Sequence, residues 1–65
     1  MRKLSPKSIE IMQLLADGFE AREIVELTNL SYDAIVSRMK YARRQLGADN
    51  TTHAIAILIR RNIIK

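Results

Sequence analysis

An all-α fold of four short helices is what this sequence predicts, and three patterns carry it. Apolar residues recur at spacings of three and four rather than two, as in Ile35, Met39, Ala42 and Leu46, which at about 100° per residue share one side of a helix. Three of the four periodic stretches are preceded by a capping residue, at Ser5, Ser31 and Asn50 or Thr51, whose side-chain oxygen can accept from a free first-turn amide. Glycine or asparagine follows at Gly18, Asn29 and Gly47, where left-handed backbone ends a helix.

At 65 residues the chain is expected to make one domain, 1–65, near the lower limit at which a single apolar core is stable alone. No cysteine is present, so neither a disulfide nor a thiolate metal site can reinforce it, and His53 lacks partners for a metal. A dimer interface is the remaining source of stability. No apolar run approaches the roughly 18 residues of a membrane span. Residues 1–6 lack the apolar core of a secretory signal, so a cytoplasmic location is expected. Eleven Lys and Arg against seven Asp and Glu give a net charge of +4, which favours an anionic partner without naming it.

The first helix is expected over about residues 6–16, with Ser5 as N-cap and Pro6 at the first helical position, where its missing N–H costs nothing. Ile11, Met12 and Leu15 form its inner stripe, Ile9 and Leu14 widen it, and Gly18 closes the helix. A shorter second helix is expected over about 20–27, with Ala21, Ile24, Val25 and Thr28 facing inward and Arg22, Glu23 and Glu26 outward. Thr28-Asn29-Leu30 alone separates it from the third helix, at about 31–46, and Asn29 tolerates positive φ. So short a link makes two helices meet at a steep angle, which is helix-turn-helix geometry.

After Gly47, a polar link leads to a fourth helix over about 52–62. Its centre, Ala54-Ile55-Ala56-Ile57-Leu58-Ile59, is apolar all the way round. One side then serves the core and another a partner, for which a symmetric dimer is the commonest arrangement. Six residues so rich in isoleucine also fit a β-strand, but the two alanines and the helical remainder favour a helix.

Catalytic constellations are missing. His53 has no serine or acid placed to work with it, which makes it a solvated or capping residue. Glu20, Glu23 and Glu26 recur every three residues as a solvated edge, with Glu23 favourable to the helix dipole. With neither a phosphate-binding glycine loop nor a metal motif, the chain is expected to be no enzyme and to use no cofactor or metal. The third helix is more informative. Opposite its apolar stripe lie Asp33, Ser37, Lys40 and Arg44, with Arg38 and Arg43 on the flanks. That face suits a polyanion such as double-stranded DNA, although charge alone also describes a solvated surface helix.

The combination of Leu4-Ser5-Pro6-Lys7, Glu10-Ile11-Met12, Leu14, Ala16 and Gly18 with Arg22-Glu23-Ile24-Val25, Leu30-Ser31, Ile35, Leu46-Gly47, Ala54-Ile55, Leu58 and Ile63-Ile64 resembles the LuxR/GerE-type helix-turn-helix DNA-binding domain, here in a stand-alone form. The resemblance spans Leu4 to Ile64. It implies a transcription regulator that binds a pseudo-palindromic site as a homodimer, with the third helix in the major groove and the fourth at the dimer seam. Carried over position by position, the DNA-contacting set is Arg22, Ser31, Tyr32, Asp33, Val36, Ser37, Arg38, Lys40, Tyr41, Arg43 and Arg44. Ser37 and Lys40 are the implied base readers, and Arg22, Arg38, Arg43 and Arg44 the implied phosphate partners. The implied dimer set is Ala54, Ile55, Ile57, Leu58, Ile59, Arg61 and Asn62.

Departures from the family pattern refine this. Ala34-Ile35-Val36 stands where the family usually has Thr-Val-Lys, so Val36 either packs on a thymine methyl or marks a protein-binding surface. Arg38 replaces a common histidine, and Arg22 a common lysine. Ser8 replaces a glutamate, losing half of a capping box with a small expected effect on stability and none on function. Thr51 replaces a frequent arginine. The competing expectation is a helix-turn-helix protein that binds another regulator through residues 52–62 or the third-helix surface, or one that docks on RNA polymerase as sigma factor region four does. No receiver or ligand-sensing domain is expected if the chain is complete.

Overall fold

The computed structural model describes residues 4–65; the reading of residues 1–3 as part of a non-secretory start lies outside them. Helices α1 (Pro6–Ala16), α2 (Ala21–Thr28), α3 (Tyr32–Leu46) and α4 (Thr51–Arg60) follow in order, so the all-α, four-helix expectation holds. Ser5, Ser31 and Asn50 cap α1, α3 and α4, accepting from the amides of Ser8, Ala34 and His53. Glu20 is not the first residue of α2, as expected, but its N-cap, and its amide donates to Glu23 Oε1 at 2.9 Å. That contact explains two of the three regularly spaced glutamates as a helix start.

Each C-terminus is closed by a left-handed residue: Gly18 (φ 99°), Asn29 (60°), Gly47 (66°) and Asn62 (59°). In three of them paired amides turn back onto the last carbonyls, as in Phe19 to Leu14 and Gly18 to Leu15, the arrangement that satisfies acceptors with no intrahelical partner. Asn62 was expected inside the last helix. Its left-handed backbone instead ends the helix at Arg60, with Ile63 donating to the Leu58 carbonyl at 3.0 Å.

Helix α3 packs against all three others, whereas α2 and α4 do not meet among the described residues. The interior accordingly divides in two. Ile11, Ile24 and Ile35 bind α2 to the α1–α3 pair, and Leu4, Met12, Ala42, Leu46, Ala54, Leu58 and Ile64 bind α4 to the other side. Neighbours Ile11 and Met12 thus serve opposite halves, and Leu15 packs against both. The chain end is held as well: Ile64 is buried, and the Gln13 side chain exchanges two hydrogen bonds with the Lys65 backbone, at 2.9 and 3.0 Å. No described helix is long and apolar enough to cross a membrane.

The fourth helix corrects one expectation directly. Ala54 and Leu58, assigned to a dimer seam, are completely buried in the chain's own core, and Ile55 and Ile57 pack partly against it. Of that set Ile59 stands out at 43% exposure, with Arg61 and Asn62 also exposed. Truncation separates the two classes: Leu58→Ala is expected to cost about 2–5 kcal/mol and Ile59→Ala less than about 0.5 kcal/mol in chemical denaturation at a concentration where the native chain is monomeric. Equal losses would contradict the assignment of Leu58 to the core.

Candidate nucleic-acid interface

The turn between α2 and α3 is built from local hydrogen bonds. The Asn29 amide donates to the Val25 carbonyl at 3.0 Å, the ending produced by a left-handed residue after a helix. Beside it the Thr28 hydroxyl donates to the Ile24 carbonyl at 2.7 Å and accepts from the Leu30 amide at 3.3 Å. Two residues on, Ser31 Oγ accepts from Ala34 and starts α3. Asp33 supplies first-turn negative charge, and Arg43 and Arg44 supply last-turn positive charge, both favourable to the helix dipole. Below the turn, Ile24 and Ile35 are completely buried together, so α3 is held at an angle set by packing and not by the linker alone.

This arrangement exposes Asp33, Ser37, Lys40 and Arg44 along one side of α3, opposite the buried Ile35, Ala42 and Leu46. Tyr32 at its tip and Arg22 at the head of α2 are also exposed, and with Val25 and Glu26 they line a shallow concavity. On the other flank Arg38 and Tyr41 are partly buried, and they join Ser37 and Arg44 around a second concavity completed by Ser5 and Ser8 of the α1 start. Arg38 reaches Ser5 Oγ at 3.3 Å. Val36 and Arg43 lie outside both concavities and are partly buried. The Ser31 hydroxyl is committed as an acceptor to the helix cap.

None of Arg22, Arg38, Lys40, Arg43 or Arg44 is paired with a carboxylate among the described residues. Their charge therefore faces solvent uncompensated by any ion pair, a condition for strong attraction of an anion. Ser5 and Ser8 are the site residues that sequence reasoning did not place here, and Ser8 is only 3% exposed. Their i, i+3 spacing shows that they share a face of α1, but nothing in one helix reveals which residues of another it meets. The capping reading of His53 fits: its Nδ1 accepts from the Asp49 amide at 3.1 Å, while its own amide donates to Asn50 at 2.8 Å.

Comparison with known proteins follows the same line. The transcriptional activator protein BjaR1 of Bradyrhizobium diazoefficiens is 36% identical over 62 residues, covering 95% of this chain and 26% of that protein. The transcriptional regulatory protein RcsB of Escherichia coli is 41% identical over 49 residues, covering 75% of this chain and 23% of its own length; its counterpart in Salmonella typhimurium gives the same values. The chain is a homologue of LuxR-family transcription regulators. It spans about a quarter of the length of these relatives. No family model and no solved structure matches it.

The turn offers its own check. Asn29→Gly should leave stability within about 0.5 kcal/mol, whereas Asn29→Val, which sets a β-branched side chain on left-handed backbone, should cost about 1–2 kcal/mol. Thermal unfolding of both variants measures this, and an unaffected Asn29→Val protein would contradict the turn conformation.

Proposed function

We propose that the chain is a sequence-specific DNA-binding module of a transcription regulator. The observation that carries this reading is the outward side of α3, where Ser37, Lys40 and Arg44 stand exposed and unpaired with acids on a helix whose angle is set by a buried contact. A helix presented in this way fits the major groove of a duplex. Ser37 and Lys40 then reach base edges, a lysine donating to guanine O6 or N7 and a serine serving several bases. Arg22, Arg38, Arg43 and Arg44 meet phosphates, Tyr32 and Asp33 lie where α3 enters the groove, and Val36 packs on a thymine methyl.

The module binds a pseudo-palindromic site as a homodimer, one α3 per half-site. The proposed seam is the outer side of α4, carried by Ile59 together with Ile63, which is 39% exposed, and by Arg61 and Asn62 at its edge. It excludes Ala54 and Leu58. Catalysis and cofactors have no part in this reading, and the site of action is the cytoplasm. A second reading has an observation in its favour: Leu27 and Tyr32 are 57% and 50% exposed beside the concavity of Arg22 and Glu26, apolar surface suited to another regulator or to RNA polymerase.

A Lys40→Glu, Arg44→Glu double variant tests groove binding, read by gel shift on a random-sequence duplex and then on the sites that the native chain selects from a random pool. Affinity should fall by at least about 100-fold, because two attractive phosphate or base contacts become repulsive; undiminished retention by a folded variant would overturn insertion of α3. For the seam, Ile59→Glu should convert a sedimenting dimer to monomer without loss of helicity. If the variant sediments as the native chain does, α4 is not the interface.

A further inference from the structure

We propose that Ser37, Arg38 and Arg44 form a seat for one backbone phosphodiester, with Arg38 held in place by Ser5 at the start of α1. The inference rests on the DNA-binding reading and adds to it a positioning contact from α1, which is no part of the helix-turn-helix itself. These residues line a single open concavity together with Ser8 and Tyr41. Within it Ser5 Oγ accepts from the Ser8 amide at 3.2 Å and from Arg38 Nη1 at 3.3 Å, and donates to Ser8 Oγ at 3.0 Å. A neutral hydroxyl therefore orients the Arg38 guanidinium without discharging it. No acidic residue lines the concavity.

The donor set matches a phosphodiester. Its two non-bridging oxygens suit a planar guanidinium, which binds them side by side, and the hydroxyl of the exposed Ser37 can donate beside it. A duplex is favoured over a carboxylate of a protein partner because Ser37 and Arg44 belong both to the concavity and to the exposed side of α3, so a strand bordering the groove passes directly over it. Ser8, small and neutral, lies beside Ser5 on the α1 wall of the concavity. A carboxylate introduced at position 8 would bring a negative charge to the wall where Ser5 meets Arg38. A serine leaves the Arg38 charge for an outside anion, which makes the position-8 side chain the determinant of whether the seat is open.

Fluorescence anisotropy on a random-sequence duplex between about 50 and 200 mM salt tests this, since each neutralised phosphate contributes about −0.9 to the slope of log K against log salt. Arg38→Gln and Ser8→Glu should each reduce the slope by about that amount, and the double variant by no more than Arg38→Gln alone. Ser8→Gln, which matches Ser8→Glu in bulk without its charge, should reduce the slope by less than Ser8→Glu does, and Thr52→Glu, a control for net charge on α4, should keep the native slope. Circular dichroism confirms that each variant is folded, and the two main variants test the seat independently. A native slope in Arg38→Gln, or equal slopes for Ser8→Glu and Ser8→Gln, would overturn the seat while leaving DNA binding intact. A native chain that binds no duplex would overturn both, and retained capture of a protein partner by native but not Arg38→Gln chain would then assign the site to a carboxylate. Inorganic phosphate alone, at matched ionic strength, should leave the Arg38 Nε–H resonance unmoved; a saturable shift would make the seat a free-anion site and overturn its assignment to backbone.

Discussion

What α3 can present to a partner depends on the packing of Ile24 against Ile35, with Ile11 beneath them. All three are completely buried, and they join α2, α3 and α1 at the point where the chain reverses direction through Asn29. The linker supplies the left-handed residue and the hydrogen bonds of Thr28, but a turn alone permits a range of crossing angles. The isoleucines narrow that range because β-branched side chains have few rotamers and interiors have no room for alternatives. The exposed stripe at Ser37, Lys40 and Arg44 therefore has a settled direction before any partner arrives, which lowers the ordering cost of binding.

The two-part core has a second consequence. Helices α1 and α3 form the shared wall, with α2 on one side and α4 on the other, and each half holds few large side chains. A chain of this size buries a modest fraction of its surface. The helix ends therefore matter more than they would in a larger protein, since each N-cap contributes about 1 kcal/mol. The clamp between Gln13 and the Lys65 backbone belongs with them, because it keeps Ile64 seated between α1 and α4.

Much of this was legible in the residues. Ser5, Ser31 and Asn50 are strong caps, Gly18, Asn29 and Gly47 are left-handed endings, and Ile35, Ala42 and Leu46 repeat with helical spacing, so α1 and α3 emerge with the expected inner faces. The end of α4 was less so. Asn62 follows its helix in left-handed backbone as Asn29 does, yet beside Arg61 it reads equally well as the last helical residue, where the expected helix ends. Its inner face was hidden for a different reason: a helix apolar on every side has no polar side to show which way it turns. Ala54 and Leu58 look no different in sequence from Ile59, and the interior at Met12, Ala42 and Leu46 decides between them. The meeting of Ser5 and Arg38, 33 positions apart, follows from the crossing of α1 and α3, which no local pattern encodes.

The same crossing bears on how, in the proposed function, a basic helix with one buried face would discriminate rather than merely attract. A cation at the end of a flexible side chain in water gains little from any one anion, since the solvent screens it and its rotamers must be frozen. Arg38 differs from Lys40 in this respect. It is partly buried and tied to Ser5, so part of its freedom is already spent, while Lys40 stands exposed with its freedom intact. The first is suited to setting position along a backbone, and the second to sampling base edges and settling only where acceptors match. The proposed division of labour between the two follows from where each lies around α3: Arg38 on the flank against α1, Lys40 on the side away from the core.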